Sequence, residues 1–191
     1  VLLTFSFLWV TFQGAKLGDD YLAINSILMQ FILMASFLLD AYAFSTEGVV
    51  GFALGRRVKK SFITVVRNSF ELSFFTSLLI SLTYLIFFKN IINMLTDLEY
   101  LRFLSYSFMI WIILIPPIAS FCYQYDGIFI GTSQTKELRN AMIISCIIFI
   151  ISSEYLVMVF ANHGIWLSFV IFMVLRSLTL RMYFSKILIR F

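Results

Sequence analysis

Charge is scarce in this sequence. Of its 191 residues, 13% are Asp, Glu, Lys or Arg, while 61% are hydrophobic. A soluble domain carries about 25% charged residues, so a water-soluble fold of this length would expose broad apolar patches. That deficit excludes a soluble enzyme or binding module and leaves lipid as the solvent. Cysteine is nearly missing too. Cys122 and Cys146 lie inside apolar runs, with neither disulfide nor metal-ligand spacing, and read as small packing residues. With one histidine, His163, no HExxH motif can be built, and neither a GxSxG elbow nor a GxxxxGK[ST] phosphate loop occurs. The expectation is a chain without metal, cofactor or enzymatic centre. The net charge of +4 is small, and its cations sit in short clusters between apolar runs, so nucleic acid is not an expected partner.

What fills the chain is long apolar runs. A helix needs about 20 apolar residues to cross the hydrocarbon core. Backbone in lipid must satisfy its own hydrogen bonds, which leaves helices or closed barrels. These runs are too long and too uniform for alternating barrel strands. They predict an all-α integral membrane protein, a six-transmembrane-helix bundle forming one body over 1–191, with helices at about 1–13, 20–54, 62–88, 101–131, 138–161 and 164–187. The first is incomplete. The chain opens with Val1 directly inside VLLTFSFLWVTF, as the tail of a helix cut by a fragment boundary would. Connections are expected at 14–20, 55–61, 89–100 and 132–138, with a tight turn at 162–164 in which Gly164 takes positive φ.

Loop charge gives an expected orientation. Alternate connections place Arg56, Arg57, Lys59, Lys60, Lys136, Arg139, Arg181, Lys186 and Arg190 on one side, against Lys16, Lys89 and Arg102 on the other. The richer side, with the C-terminus, is expected in the cytoplasm.

Ionisable groups inside spans are costly and therefore functional candidates. Asp40 and Glu47 are seven residues apart, so both project from one helix face, which also carries Ser36, Ala43, Gly51 and Gly55. Asp126 stands in FCYQYDGIFIG, beyond Pro116 and Pro117. Each proline removes a helical donor and leaves a carbonyl, at Ile112 and Ile113, without its usual partner. Such a helix can hinge or line a cavity. Beside Tyr123, Gln124 and Tyr125, Asp126 suits reversible proton binding or cation contact, or else serves as a structural acid bonded to a neighbouring helix. Arg67 and Glu71 form an i,i+4 ion pair, and Arg176 can snorkel to the cytoplasmic surface.

Several blocks then carry a resemblance. DDYLAINSILMQFILMASFLLDAYAFSTEGVVGFALG (19–55), LTD (95–97), YDGIFIGTSQTKELRNAM (125–142) and NHGIWLSFVIFMVLRSLTL (162–180) together resemble, in order, the multidrug and toxic compound extrusion (MATE) transporters, in their DNA-damage-inducible branch. The resemblance implies twelve helices in two six-helix lobes, of which this chain is the C-terminal one. It implies a multi-pass protein of the cell inner or plasma membrane that exchanges protons or sodium for small organic, often cationic compounds by alternating access. Membrane lipid and the N-terminal lobe would be its partners. In relatives of this branch the best-supported protonation site is an Asp of that other lobe. Other branches use acids on their seventh and tenth helices; here the segment 1–13 offers only Gln13, and Asp126 stands about one turn from the tenth-helix acid. Asp126, Asp40 and Glu47 are thus the ion-coupling candidates of this half. Tyr123, Gln124, Ser36 and Gln13 are candidates for the substrate cavity, and Pro116 and Pro117 for the hinge. Two alternatives are a lipid-linked precursor flippase of the same superfamily and a half-size transporter complete as a homodimer.

Overall fold

The structure, a computed structural model, describes residues 2–189. Val1, with which the opening segment begins, and Arg190, one of the clustered cations, lie outside the described residues. Seven helices follow one another: α1 (Leu2–Leu17), α2 (Asp19–Gly55), α3 (Lys59–Leu95), α4 (Glu99–Tyr106), α5 (Met109–Gly131), α6 (Thr135–Phe160) and α7 (Asn162–Leu188). The described residues contain no strand. Helices α2, α3, α5, α6 and α7 are long and apolar enough to cross a membrane, while α1, at 16 residues, is shorter than a full span. Large apolar side chains face outward on the long helices, among them Phe37, Phe44, Phe75, Leu79 and Met158. This is a helical membrane bundle.

The boundaries differ from the sequence expectation in physically instructive ways. The expected connection at 14–20 shrinks to Gly18, whose φ of 118° only glycine adopts readily. The expected loop 89–100 is mostly helix, because α3 runs on to Leu95. Arg102 holds that end: its Nε donates to the Thr96 carbonyl at 2.7 Å and its Nη2 to the Asn93 carbonyl at 3.0 Å, satisfying carbonyls that a helix C-terminus leaves bare. The expected helix 101–131 is two helices, broken at 107–108 without a Gly or Pro to mark it. The connection expected at 132–138 spans only 132–134. There the Gln134 amide donates to Phe129 and the Ser133 amide to Ile130, a Schellman closure with Ser133 at φ 58°. Positive φ at the last turn belongs to Ala161, at 50°, not to Gly164. Gly164 is instead a point of close approach, since a Cβ there would lie 2.2 Å from the Leu156 carbonyl oxygen.

Helix α5 is central, packing on α2, α3, α6 and α7, while α6 and α7 form a second tight pair and α1 lies across α2, α6 and α7. The α2–α5 seam depends on glycine. A Cβ on Gly127 would stand 2.3 Å from the Ala43 carbonyl oxygen, and one on Gly131 would stand 2.4 Å from that of Glu47. Backbone therefore meets backbone, the close approach that small residues permit between membrane helices. These contacts fix the register of α2 against α5, and the register positions the charged groups described next.

Candidate functional site

The charged centre of the bundle lies where α2, α5 and α7 meet. Asp126 of α5 accepts a hydrogen bond through Oδ2 from Nη2 of Arg176 on α7, and the two form an ion pair. Both are deeply placed: the Arg176 side chain is 6% exposed and that of Asp126 14%. Arg176 therefore does not snorkel to the membrane surface. A charge at membrane depth costs about 2.5–3.5 kcal/mol or more when isolated, and the pairing relieves both partners.

Asp40 joins this centre. Tyr123 of α5 donates its hydroxyl to Ser36 Oγ at 2.7 Å on one side of Asp40, and the Gly127–Ala43 contact lies on the other. Asp40 is half-buried between them, opposite the 123–127 stretch of α5 that carries Asp126. The buried Cys122 thiol also stands within reach of Arg176. Several polar atoms here stay unpartnered among the described residues: Oδ1 of Asp126, Nε and Nη1 of Arg176, and Nε2 of Gln124.

The remaining expected site residues divide. Ser36, Tyr123 and Gln124 are brought together with Asp40 and Asp126, but not as the wall of an open cavity. They are 8%, 3% and 0% exposed. The Thr46 hydroxyl lies 2.8 Å from both the Gln124 Oε1 and the Tyr42 carbonyl. This polar seam ties α2 to α5, and its physical cause is the glycine approach, which leaves no gap between the helices. Gln13 stands elsewhere: its Nε2 donates to Glu154 Oε1 at 2.8 Å, beside Lys16 at 3.1 Å from the same oxygen. That group joins α1 to α6, with Trp9 donating to Ser153 at 2.7 Å. Glu47 is half-buried and joins no hydrogen bond or ion pair among the described residues. Arg67 and Glu71 pair at 3.5 Å on an exposed face, as their spacing implies.

Pro116 and Pro117 sit inside α5, which continues as helix through both. The carbonyl of Ile113, deprived of its partner by Pro117, accepts a hydrogen bond from Ser81 Oγ of α3 at 2.8 Å. Pro117 also lines an apolar cleft of about 310 Å³ between α3, α5 and α7, with Phe74, Phe121, Ser177 and Leu178 around it.

A bundle of apolar spans around a buried acid–base centre can be compared with known proteins. The MatE family matches residues 1–156. The chain belongs to the MatE family. It is also 33% identical over 180 residues to DNA damage-inducible protein F of Escherichia coli (strain K12), an alignment that covers 94% of this chain. The same alignment covers 39% of that relative, so the chain spans well under half its length. The MatE match extends over α1 to α5 and most of α6, and so includes Asp40 and Asp126; Arg176 on α7 lies beyond it.

Sequence reasoning missed Arg176 as a member of the centre. The signal was present. Apart from Arg67 it is the one arginine deep in a span, and a lone cation there needs an acid partner. Ser81 was equally unmarked, although the bare Ile113 carbonyl called for a donor from a neighbouring helix.

Proposed function

We propose that this chain is one lobe of a secondary exporter that exchanges a proton or sodium ion for small organic, often cationic compounds by alternating access. One observation carries the reading. Asp126 takes the guanidinium of Arg176, and Asp40, half-buried on the same α2–α5 seam, has no ion pair among the described residues, so the two acids ionised together carry one negative charge more than Arg176 balances within a membrane bundle of MatE type. Such a charge favours one monovalent cation. Membership in the MatE family and likeness to DNA damage-inducible protein F support the transport class. The second lobe would complete the central cavity, against which the outward aromatic side chains of α2, such as Phe37 and Phe44, would offer apolar and cation–π contact. Arg176 is engaged by Asp126, which leaves no free deep cation among the described residues to hold the phosphates of a lipid-linked precursor and argues against the flippase reading. The membrane would be the cell inner or plasma membrane, with the C-terminus cytoplasmic.

The test is Asp126→Asn in the intact protein, assayed in vesicles under an imposed pH or sodium gradient. Asn is nearly isosteric with the acid and mimics its neutral form. The variant should reach the membrane and bind substrate, yet lose gradient-driven exchange. Near-normal exchange, with Asp40→Asn inactive, would move the coupling role to α2.

A further inference from the structure

The Asp126–Arg176 pair is incomplete in a way that points to a second position for the arginine. A guanidinium offers five donors in a planar fork. Arg176 is 5% exposed, yet among the described residues its Nε and Nη1 have no partner, and Asp126 uses only one carboxylate oxygen. A fully seated Arg–Asp pair would be bidentate and would leave fewer orphans. Meanwhile Asp40 makes no hydrogen bond or ion pair among the described residues, although it faces the 123–127 stretch of α5 that carries Asp126, the partner of Arg176. Its place is fixed independently of charge, by the Tyr123–Ser36 hydrogen bond on one side and the Gly127–Ala43 backbone contact on the other.

We propose that Arg176 is a shared cation with two seats, Asp126 and Asp40, and that its exchange between them is the charge switch of this lobe. In the state described here the arginine sits on Asp126 and Asp40 is the open carboxylate. A monovalent cation that takes Asp126 releases the guanidinium to Asp40. The lobe then keeps one cation on each carboxylate, and no charge is left bare in the apolar interior. The helices need not separate, because the glycine seam holds α2 and α5 in register while a long, flexible side chain moves. The buried polar groups nearest in sequence and packing to the two acids are Cys122, Tyr123 and Gln124 from α5 and Ser36 and Thr46 from α2. None of these five carries a formal charge to compete for the arginine. The functional part of this proposal rests on the exporter reading; the sharing of Arg176 does not.

The experiment is a stability cycle on the intact protein in detergent, read as the thermal denaturation midpoint. Asp126→Asn and Asp40→Asn should each cost little, because Arg176 falls back on the remaining acid. The double variant strands a buried guanidinium, so its loss should exceed the sum of the two single losses. Adding Arg176→Gln to the double variant should recover most of that loss. Additive losses, or no recovery with Arg176→Gln, would overturn the sharing. A second arm measures transport in vesicles. Each single variant holds Arg176 in one seat, and each should lose exchange by about tenfold or more while substrate affinity stays within about threefold. Normal exchange by either single variant would overturn the switch. A wild-type protein without gradient-driven export, together with a non-additive stability cycle, would refute the exporter reading and support the shared arginine.

Discussion

At Gly127 a single hydrogen atom is all that the α2–α5 seam accepts. The Cβ of an alanine there would lie 2.3 Å from the Ala43 carbonyl oxygen and 3.0 Å from its carbonyl carbon, and neither belongs to a flexible side chain. Gly127→Ala must therefore push the helices apart, at a cost of about 1–3 kcal/mol. Gly48, on the same helix as Ala43, has nothing within 4 Å of its Cβ position. Gly48→Ala should be neutral or stabilise by about 0.4–1 kcal/mol through the unfolded chain. The two thermal midpoints in detergent should move in opposite directions or, at the least, separate clearly; equal shifts would mean that the seam is looser than described. The sequence allowed part of this to be read. Gly127 and Gly131 stand four apart on an apolar helix, and that spacing signals close packing. It did not say which neighbour they meet. The same limit hid the Asp126–Arg176 pair: each residue was visible as an ionisable group in a span, but their contact joins positions 50 apart, on helices whose packing no local pattern encodes.

Helix α5 shows what membrane composition reveals and what it conceals. Uniform apolarity made the spans legible, since a backbone in lipid must be helical wherever it is not closed into a barrel. The break at 107–108 was not legible, because α4 and α5 differ in amphipathicity rather than in breaker residues: α4 buries Leu101 and Ser105 while exposing Tyr100 and Phe103. The proline pair was legible and so was its consequence, a bare carbonyl at Ile113. The remedy came from α3, where Ser81 donates to it. Ser81→Ala should therefore cost about 1–3 kcal/mol, the usual penalty of a buried unpaired carbonyl. Pro117→Ala restores a backbone N–H to the same carbonyl, so in that background Ser81→Ala should cost much less. Denaturation midpoints of the two single variants and the double variant measure the coupling. Independent, additive effects would mean that Ser81 acts elsewhere.

Across the whole molecule the linkers 56–58 and 132–134 lie at one end of the bundle, with Gly18, 96–98 and Ala161 at the other. Because α4 has eight residues and cannot span, the division of the 101–131 segment into two helices leaves this alternation intact. Among the described residues, Arg56, Arg57, Lys59, Lys60, Lys136, Arg139, Arg181 and Lys186 gather toward the first end, against Lys16, Lys89 and Arg102 at the second. Positive charge resists translocation, so the first end is expected to face the cytoplasm. The native thiols make this simple to check, since Cys122 and Cys146 are both buried and should label slowly. Asp97, whose side chain is fully exposed in the 96–98 linker, and Lys136, exposed in the first turn of α6, give one reporter for each end. In intact cells carrying the complete protein, an impermeant maleimide should label Asp97→Cys and leave Lys136→Cys untouched until the membrane is opened. Neither position belongs to the α2–α5–α7 centre, and losing one lysine leaves seven described cations against three. The reverse pattern would place the basic end outside. Labelling of both variants in intact cells would mean that the protein inserts in two orientations, which its charge asymmetry argues against.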